Sequence, residues 1–104
     1  MYSRHVSCTL KPITRDELGQ MFDREILPVL QKQNGFNDEI VFVDHDGRQV
    51  LAISLWDSKE SAENYSRETY PQVLKTLARV IEGTPQVRNY EVAFSTAHKT
   101  VAAI

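Results

Sequence analysis

Apolar and polar residues alternate from Tyr2 to Leu10, with Val6, Cys8 and Leu10 on one side and His5, Ser7 and Thr9 on the other. A period of two predicts a strand. The period then changes. Leu18, Met21, Phe22, Ile26, Val29 and Leu30 follow at helical spacing behind Thr14-Arg15-Asp16-Glu17, which has the spacing of a capping box. Pro28 falls inside this helix, where it removes a donor and presses on the carbonyl of Arg24, so a kink is expected. Asn34-Gly35 closes the helix, with Gly35 left-handed and Phe36 packing back. Glu39 to Asp44 is a second strand, apolar on both sides: Ile40 and Phe42 against Val41 and Val43. After the hairpin turn His45-Asp46-Gly47, Arg48 to Trp56 returns antiparallel. Leu51, Ile53 and Leu55 take one face of this strand, and Val50, Ala52, Ser54 and Trp56 the other.

Asp57 or Ser58 caps a second helix, which turns Ala62 and Tyr65 inward. Tyr70-Pro71 interrupts it, since proline suits the first turn of a new helix and disfavours helical geometry before it. The new segment carries Val73, Leu74, Leu77, Val80 and Ile81 and stops at Gly83, before Thr84-Pro85. Val87 to Ser95 reads as the fourth strand, and residues 96–104 as a mildly apolar tail, frayed or lying on a partner.

Strand, helix, strand, strand, helix, strand is the order of an α+β ferredoxin-like split β-α-β domain: a four-stranded antiparallel sheet with helices on one face. Its 104 residues make one domain, 1–104. The helices offer about ten apolar side chains, enough for one face of such a sheet. The second and third strands are apolar on both faces, and a bare apolar face exceeds what monomers tolerate. The expectation is a homodimer in which two sheets pack face to face.

Composition narrows the classes. A net charge of −2 and scattered Lys and Arg argue against nucleic acid and anionic membrane as partners. No apolar run approaches the length of a membrane span, and the single Cys8 can form no internal disulfide. A cytoplasmic protein is expected. The three histidines lack metal-ligand spacing, and no Gly-rich phosphate loop occurs, so neither a metal nor a nucleotide is expected.

The first helix with Pro28 ahead of Gly35-Phe36, the run Ser-Leu-Trp-Asp-Ser-Lys-Glu-Ser-Ala-Glu at 54–63, and the helix that breaks at proline before an apolar stripe resemble one family. It is the antibiotic-biosynthesis-monooxygenase type of dimeric α/β barrel, and the resemblance covers nearly the whole chain. It implies a homodimer with a small-molecule pocket between sheet and helices in each subunit. It also implies oxygenation of quinols or phenols without a cofactor as one activity among several. Quinol-oxidising members place a Glu two residues before the tryptophan and a His nine after it; here those positions hold Ser54 and Tyr65. Haem-degrading members need a Trp at the Tyr65 position and a His ten residues later, where this chain has Lys75. That argues against haem degradation.

Each candidate residue has two readings. Trp56 is a wall that stacks on an aromatic ligand, or a core anchor. Tyr65 holds a phenolic substrate, or covers the sheet. Asn64 and Arg67 orient an oxyanion, or are solvated helix residues. His5 is a base towards an acidic phenol, or a hydrogen-bonded structural residue. Cys8 reads as a small buried hydrophobe. His45 and His98 read as solvent-exposed. In the enzyme reading, a monooxygenase of a small electron-rich aromatic, His5, Tyr65 and Asn64 are catalytic. Trp56, Ser7, Phe22 and Arg67 then bind the substrate. The alternative is a non-catalytic small-molecule-binding or scaffold homodimer. An open cavity beside Trp56 favours the first, and a closed one the second.

Overall fold

The computed structural model describes residues 1–97. Strand β1 (Tyr2–Leu10) leads to helix α1 (Arg15–Met21), a π turn (Phe22–Ile26) and helix α2 (Leu27–Gln31). Strands β2 (Phe36–Val43) and β3 (Gln49–Trp56) form the hairpin, helices α3 (Lys59–Glu68) and α4 (Tyr70–Leu77) follow, and β4 (Ile81–Glu91) closes the sheet. All pairings are antiparallel, in the order β2-β3-β1-β4. This is the expected α+β ferredoxin-like arrangement, with the helices on one face. The tail and His98 fall outside the described residues from position 98 onward.

The two faces of the sheet follow from its alternation. Val6, Cys8, Leu10, Val50, Ala52 and Trp56 point to the helices and are buried. Cys8, Leu10, Val50 and Trp56 among them meet Leu18, Met21, Ile26, Leu30, Tyr65, Val73 and Leu77 in one core. Ile40, Phe42 and Tyr90 stand on the opposite face and are exposed.

Local signals set the helix ends. The Thr14 hydroxyl accepts the Glu17 N–H at 3.0 Å, and the Ser58 hydroxyl accepts the Ser61 N–H at 3.1 Å. The break between α3 and α4 falls at Thr69, directly before Tyr70-Pro71.

Three details depart from the sequence reading. The kink expected from Pro28 is taken up as π geometry, with the Leu27 N–H reaching back to the Phe22 carbonyl. Phe36 opens β2, three residues ahead of the expected start, and packs edge-on against Trp56. Strand β4 begins at Ile81, not Val87, and ends at Glu91. The helix therefore stops at Leu77, and Lys11 N–H binds the Val80 carbonyl at 2.8 Å. Gly83, Thr84 and Pro85 do not end the segment. They form a bulge between the Thr9–Glu82 and Ser7–Gln86 pairs, on an edge strand that tolerates proline.

Gly35 adopts φ +81°, and a Cβ there would collide with the Ser61 hydroxyl and lie 2.6 Å from its Cβ. Gly35→Ala therefore loses about 3 kcal/mol in urea unfolding, from left-handed backbone and overpacking together. Adding Ser61→Gly restores only the part due to the collision.

Candidate active site

Alternation delivers three polar residues to the helix-facing side of the sheet, in one row across three strands. Arg4 on β1 pairs with Ser54 on β3, and Ser54 pairs in turn with Glu39 on β2. Over this row lie Tyr65 from α3 and Tyr70 from α4, with Phe22 and Ile26 from the π turn. Between them is a cavity of about 20 Å³. That is room for a water molecule, not for an aromatic ring.

The polar groups around it are under-satisfied. Arg4 is only 3% exposed, and its Nε has no hydrogen-bond partner. Glu39 Oε1 and the Tyr70 hydroxyl are equally shut from solvent and without partners. Arg4 makes no ion pair with any described carboxylate. Its guanidinium rests instead on aromatic faces, 3.9 Å from the Tyr70 ring centre and 5.4 Å from that of Tyr65. Native interiors leave few such atoms, so three around one cavity mark it as a place where a ligand's polar group is expected.

Burial sets the protonation states. Loss of water pushes the Glu39 carboxyl up to about 8, against the opposing pull of Arg4. At neutral pH the acid is mostly protonated, so the Arg4 guanidinium gives the cavity a net positive charge. Burial also raises the Tyr65 phenol strongly, with Arg4 working against it. The Tyr70 phenol is raised for the same reason and pulled back by the neighbouring guanidinium.

The residues singled out from the sequence fall into three places. Trp56 is fully buried, stacks on Tyr65 at 4.9 Å between ring centres, and donates its indole N–H to the Ser54 hydroxyl at 2.8 Å. Trp56, Tyr65 and Phe22 belong to the helix side. Asn64 and Arg67 are exposed on α3 and bond to each other at 2.6 Å. His5 and Ser7 stand on the opposite face of the sheet. His5 Nε2 lies 3.0 Å from the Ser3 hydroxyl, which is itself given to the Tyr90 carbonyl, and the imidazole meets the Tyr90 ring edge-on at 4.8 Å. Burial pushes its pKa down. The sheet thus separates His5 and Ser7 from Tyr65 and Trp56.

Sequence reasoning passed over Arg4, Glu39 and Tyr70. A signal was present for the first two. Arg4 is in step with Val6, Cys8 and Leu10, and Glu39 with Val41 and Val43, so each is a charge in a core-facing register. Tyr70 was visible only as the residue before Pro71.

Solved structures share this architecture. A monooxygenase of Streptomyces coelicolor, from the gene ActVA-Orf6 and in complex with nanaomycin D, superposes with a TM-score of 0.73 at 16% identity, over 90% of this chain and 88% of that one. SnoaB, a cofactor-independent oxygenase from Streptomyces nogalater, gives 0.72 at 12% identity, over 93% and 97%. A Bacillus cereus structure, named provisionally as an antibiotic biosynthesis monooxygenase, gives 0.66 at 22% identity, over 93% and 97%. At these identities the likeness establishes the fold, and in fold the resemblance to the antibiotic-biosynthesis-monooxygenase structures holds. No family model and no curated protein matches the chain. Among the described residues, no helix is long and apolar enough to cross a membrane, and no group of three acidic, His or Cys residues could hold a metal.

Proposed function

We propose that the chain is a cofactor-independent monooxygenase of small electron-rich phenols, working as a homodimer with one pocket per subunit. The observation that carries this reading is the row Arg4–Ser54–Glu39 beneath Tyr65 and Tyr70. Deprotonating a phenol needs a base of matched pKa, and the phenolate needs a preset positive partner. Glu39 and Arg4 supply the two on either side of Ser54, on the same face as Tyr65 and Trp56. The base role suggested for His5 therefore passes to Glu39, which sits on the strand next to the position where quinol-oxidising relatives carry their glutamate.

In this reaction the phenol proton goes to the Glu39 carboxylate, and Arg4 holds the phenolate oxygen. The ring gives one electron to O2, and recombination forms a ring C–O bond. The hydroperoxide then loses water: the C–H proton leaves, the O–O bond breaks, and a carbonyl remains. One 1,5-dihydroxynaphthalene and one O2 give one hydroxynaphthoquinone and one water. Room for the ring comes from displacement of Phe22, a half-buried side chain at the cavity's edge.

Oxygen uptake with 1,5-dihydroxynaphthalene tests this. The expected kcat/KM rises tenfold per pH unit up to about 8 as Glu39 ionises, then levels until the substrate itself ionises. Glu39→Gln lowers it by about 100-fold or more, while His5→Ala leaves it unchanged. The reverse pattern would move the chemistry to the other face. The small volume of the cavity supports a second reading, a non-catalytic small-molecule-binding homodimer. A ligand-induced rise in melting point with no oxygen uptake selects that reading.

A further inference from the structure

We infer that the space between Arg4, Glu39 and Tyr70 is a proton-holding anion subsite, which takes the ionised oxygen of an aromatic acid onto Arg4 while Glu39 keeps its proton and donates to the same oxygen acid. The inference rests on reading this pocket as a ligand site; it does not require catalysis. Three facts support it. Arg4 is buried and forms no ion pair with a described carboxylate, Glu39 included, a costly arrangement that a ligand anion relieves. Its Nε, the Glu39 Oε1 and the Tyr70 hydroxyl are buried, without partners, and share one cavity. The cavity of about 20 Å³ among them has room for about one water-sized atom, so it admits a single ligand oxygen and not a ring.

The charge balance follows from the groups that face Glu39. Arg4 reaches it from β1, Tyr65 from α3 and Tyr70 from α4, with Cys8 beyond Tyr70. Ser54 on β3 does not ionise, and the π turn presents Phe22 and Ile26. Both tyrosines hold their protons more tightly than usual, so Glu39 is the group that titrates near neutrality. An ionised Glu39 would put a second negative charge beside the ligand's. Anion binding above its pKa therefore has to take up a proton.

Binding of 1-naphthoate, compared with the neutral 1-naphthylmethanol, decides the matter by titration calorimetry from pH 6 to 9.5. The acid binds at least tenfold tighter than the alcohol at pH 6–7. Its affinity is flat there and falls tenfold per unit above about 8. In Glu39→Gln, which keeps a donor amide and cannot ionise, that fall disappears. Arg4→Met loses the preference for the acid; if it does not fold, the Glu39→Gln comparison still decides. Equal binding of acid and alcohol, a flat profile through pH 8 in the natural protein, a fall that persists in Glu39→Gln, or no binding of naphthoate would each overturn the subsite. A protein that binds naphthoate as described but consumes no oxygen loses the oxygenase reading and keeps this one. Oxygen uptake without the naphthoate profile does the opposite.

Discussion

Glu39→Gln stabilises the protein by about 3 kcal/mol at pH 8, and it removes most of the loss of stability that the natural chain suffers between pH 4.5 and 8. The sign follows from proton binding. The unfolded chain releases the Glu39 proton near the ordinary glutamate value of 4.5, and the folded chain holds it until about 8. Between those values the folded state carries more protons, so stability falls as pH rises. The full contribution is present below 4.5 and is gone above 8. A shift of this size corresponds to about 5 kcal/mol at most, at about 1.4 kcal/mol per pH unit. Glu39 is half-buried, and partial solvation brings the figure down towards 3 kcal/mol. Glutamine has nearly the same shape and forfeits little, because Oε1 has no partner to lose. For a domain of this size the gain corresponds to more than about 10 °C in melting temperature. Thermal melts of both proteins from pH 4 to 9 check it, and the difference between the curves is the quantity to read. His5, whose lowered pKa gives stability that is lost as pH falls, acts in the opposite sense, and the subtraction cancels it. A destabilising acid where glutamine would be safer fits a group whose role is towards a ligand.

How far the chain could be read depended on whether a signal was periodic. Strand β1 was legible to the residue, because Val6, Cys8 and Leu10 alternate and Lys11-Pro12 ends the run. The left-handed Gly35 and the break at Tyr70-Pro71 were legible because glycine and proline restrict backbone geometry locally. The start of β4 was not. Val80 and Ile81 continue a helical stripe in sequence, but the C-terminal end of β1 offers them pairing that no local rule contains. The site failed to show for a related reason. His5 and Tyr65 are both chemically interesting, yet the alternation that buries Val6 turns His5 away from the helices. Register outranks residue type. The same rule, applied to Arg4 and Glu39, brings them together through Ser54, a link that needs the order β2-β3-β1 and so a knowledge of topology.

The natural protein is expected to sediment at twice its 11.9 kDa chain mass at micromolar concentration, and Ile40→Lys with Phe42→Lys to bring it to the single-chain mass. On the outer face Ile40 is 45% and Phe42 51% exposed, with Leu51 and Ile53 half-buried beside them as cross-strand partners of Phe42 and Ile40. Such an apolar patch across β2 and β3 favours a partner over water. Burying it is worth about 25 cal/mol per Å² of apolar area. In an isologous pair each substitution enters the interface twice, so the two lysines place four charges there. The expected weakening exceeds about 100-fold in dissociation constant, a loss of more than about 3 kcal/mol. Both side chains already meet solvent in the protomer, so the variant folds, and a cooperative melt separates dissociation from misfolding. A natural protein that sediments as a monomer under these conditions removes the dimer. Alternation sets Ile40 and Phe42 outward on the same edge strand that turns Glu39 and Val41 inward, and the burial that raises the Glu39 pKa is complete within one protomer. The double-lysine variant is therefore expected to keep the raised Glu39 titration while it loses the partner.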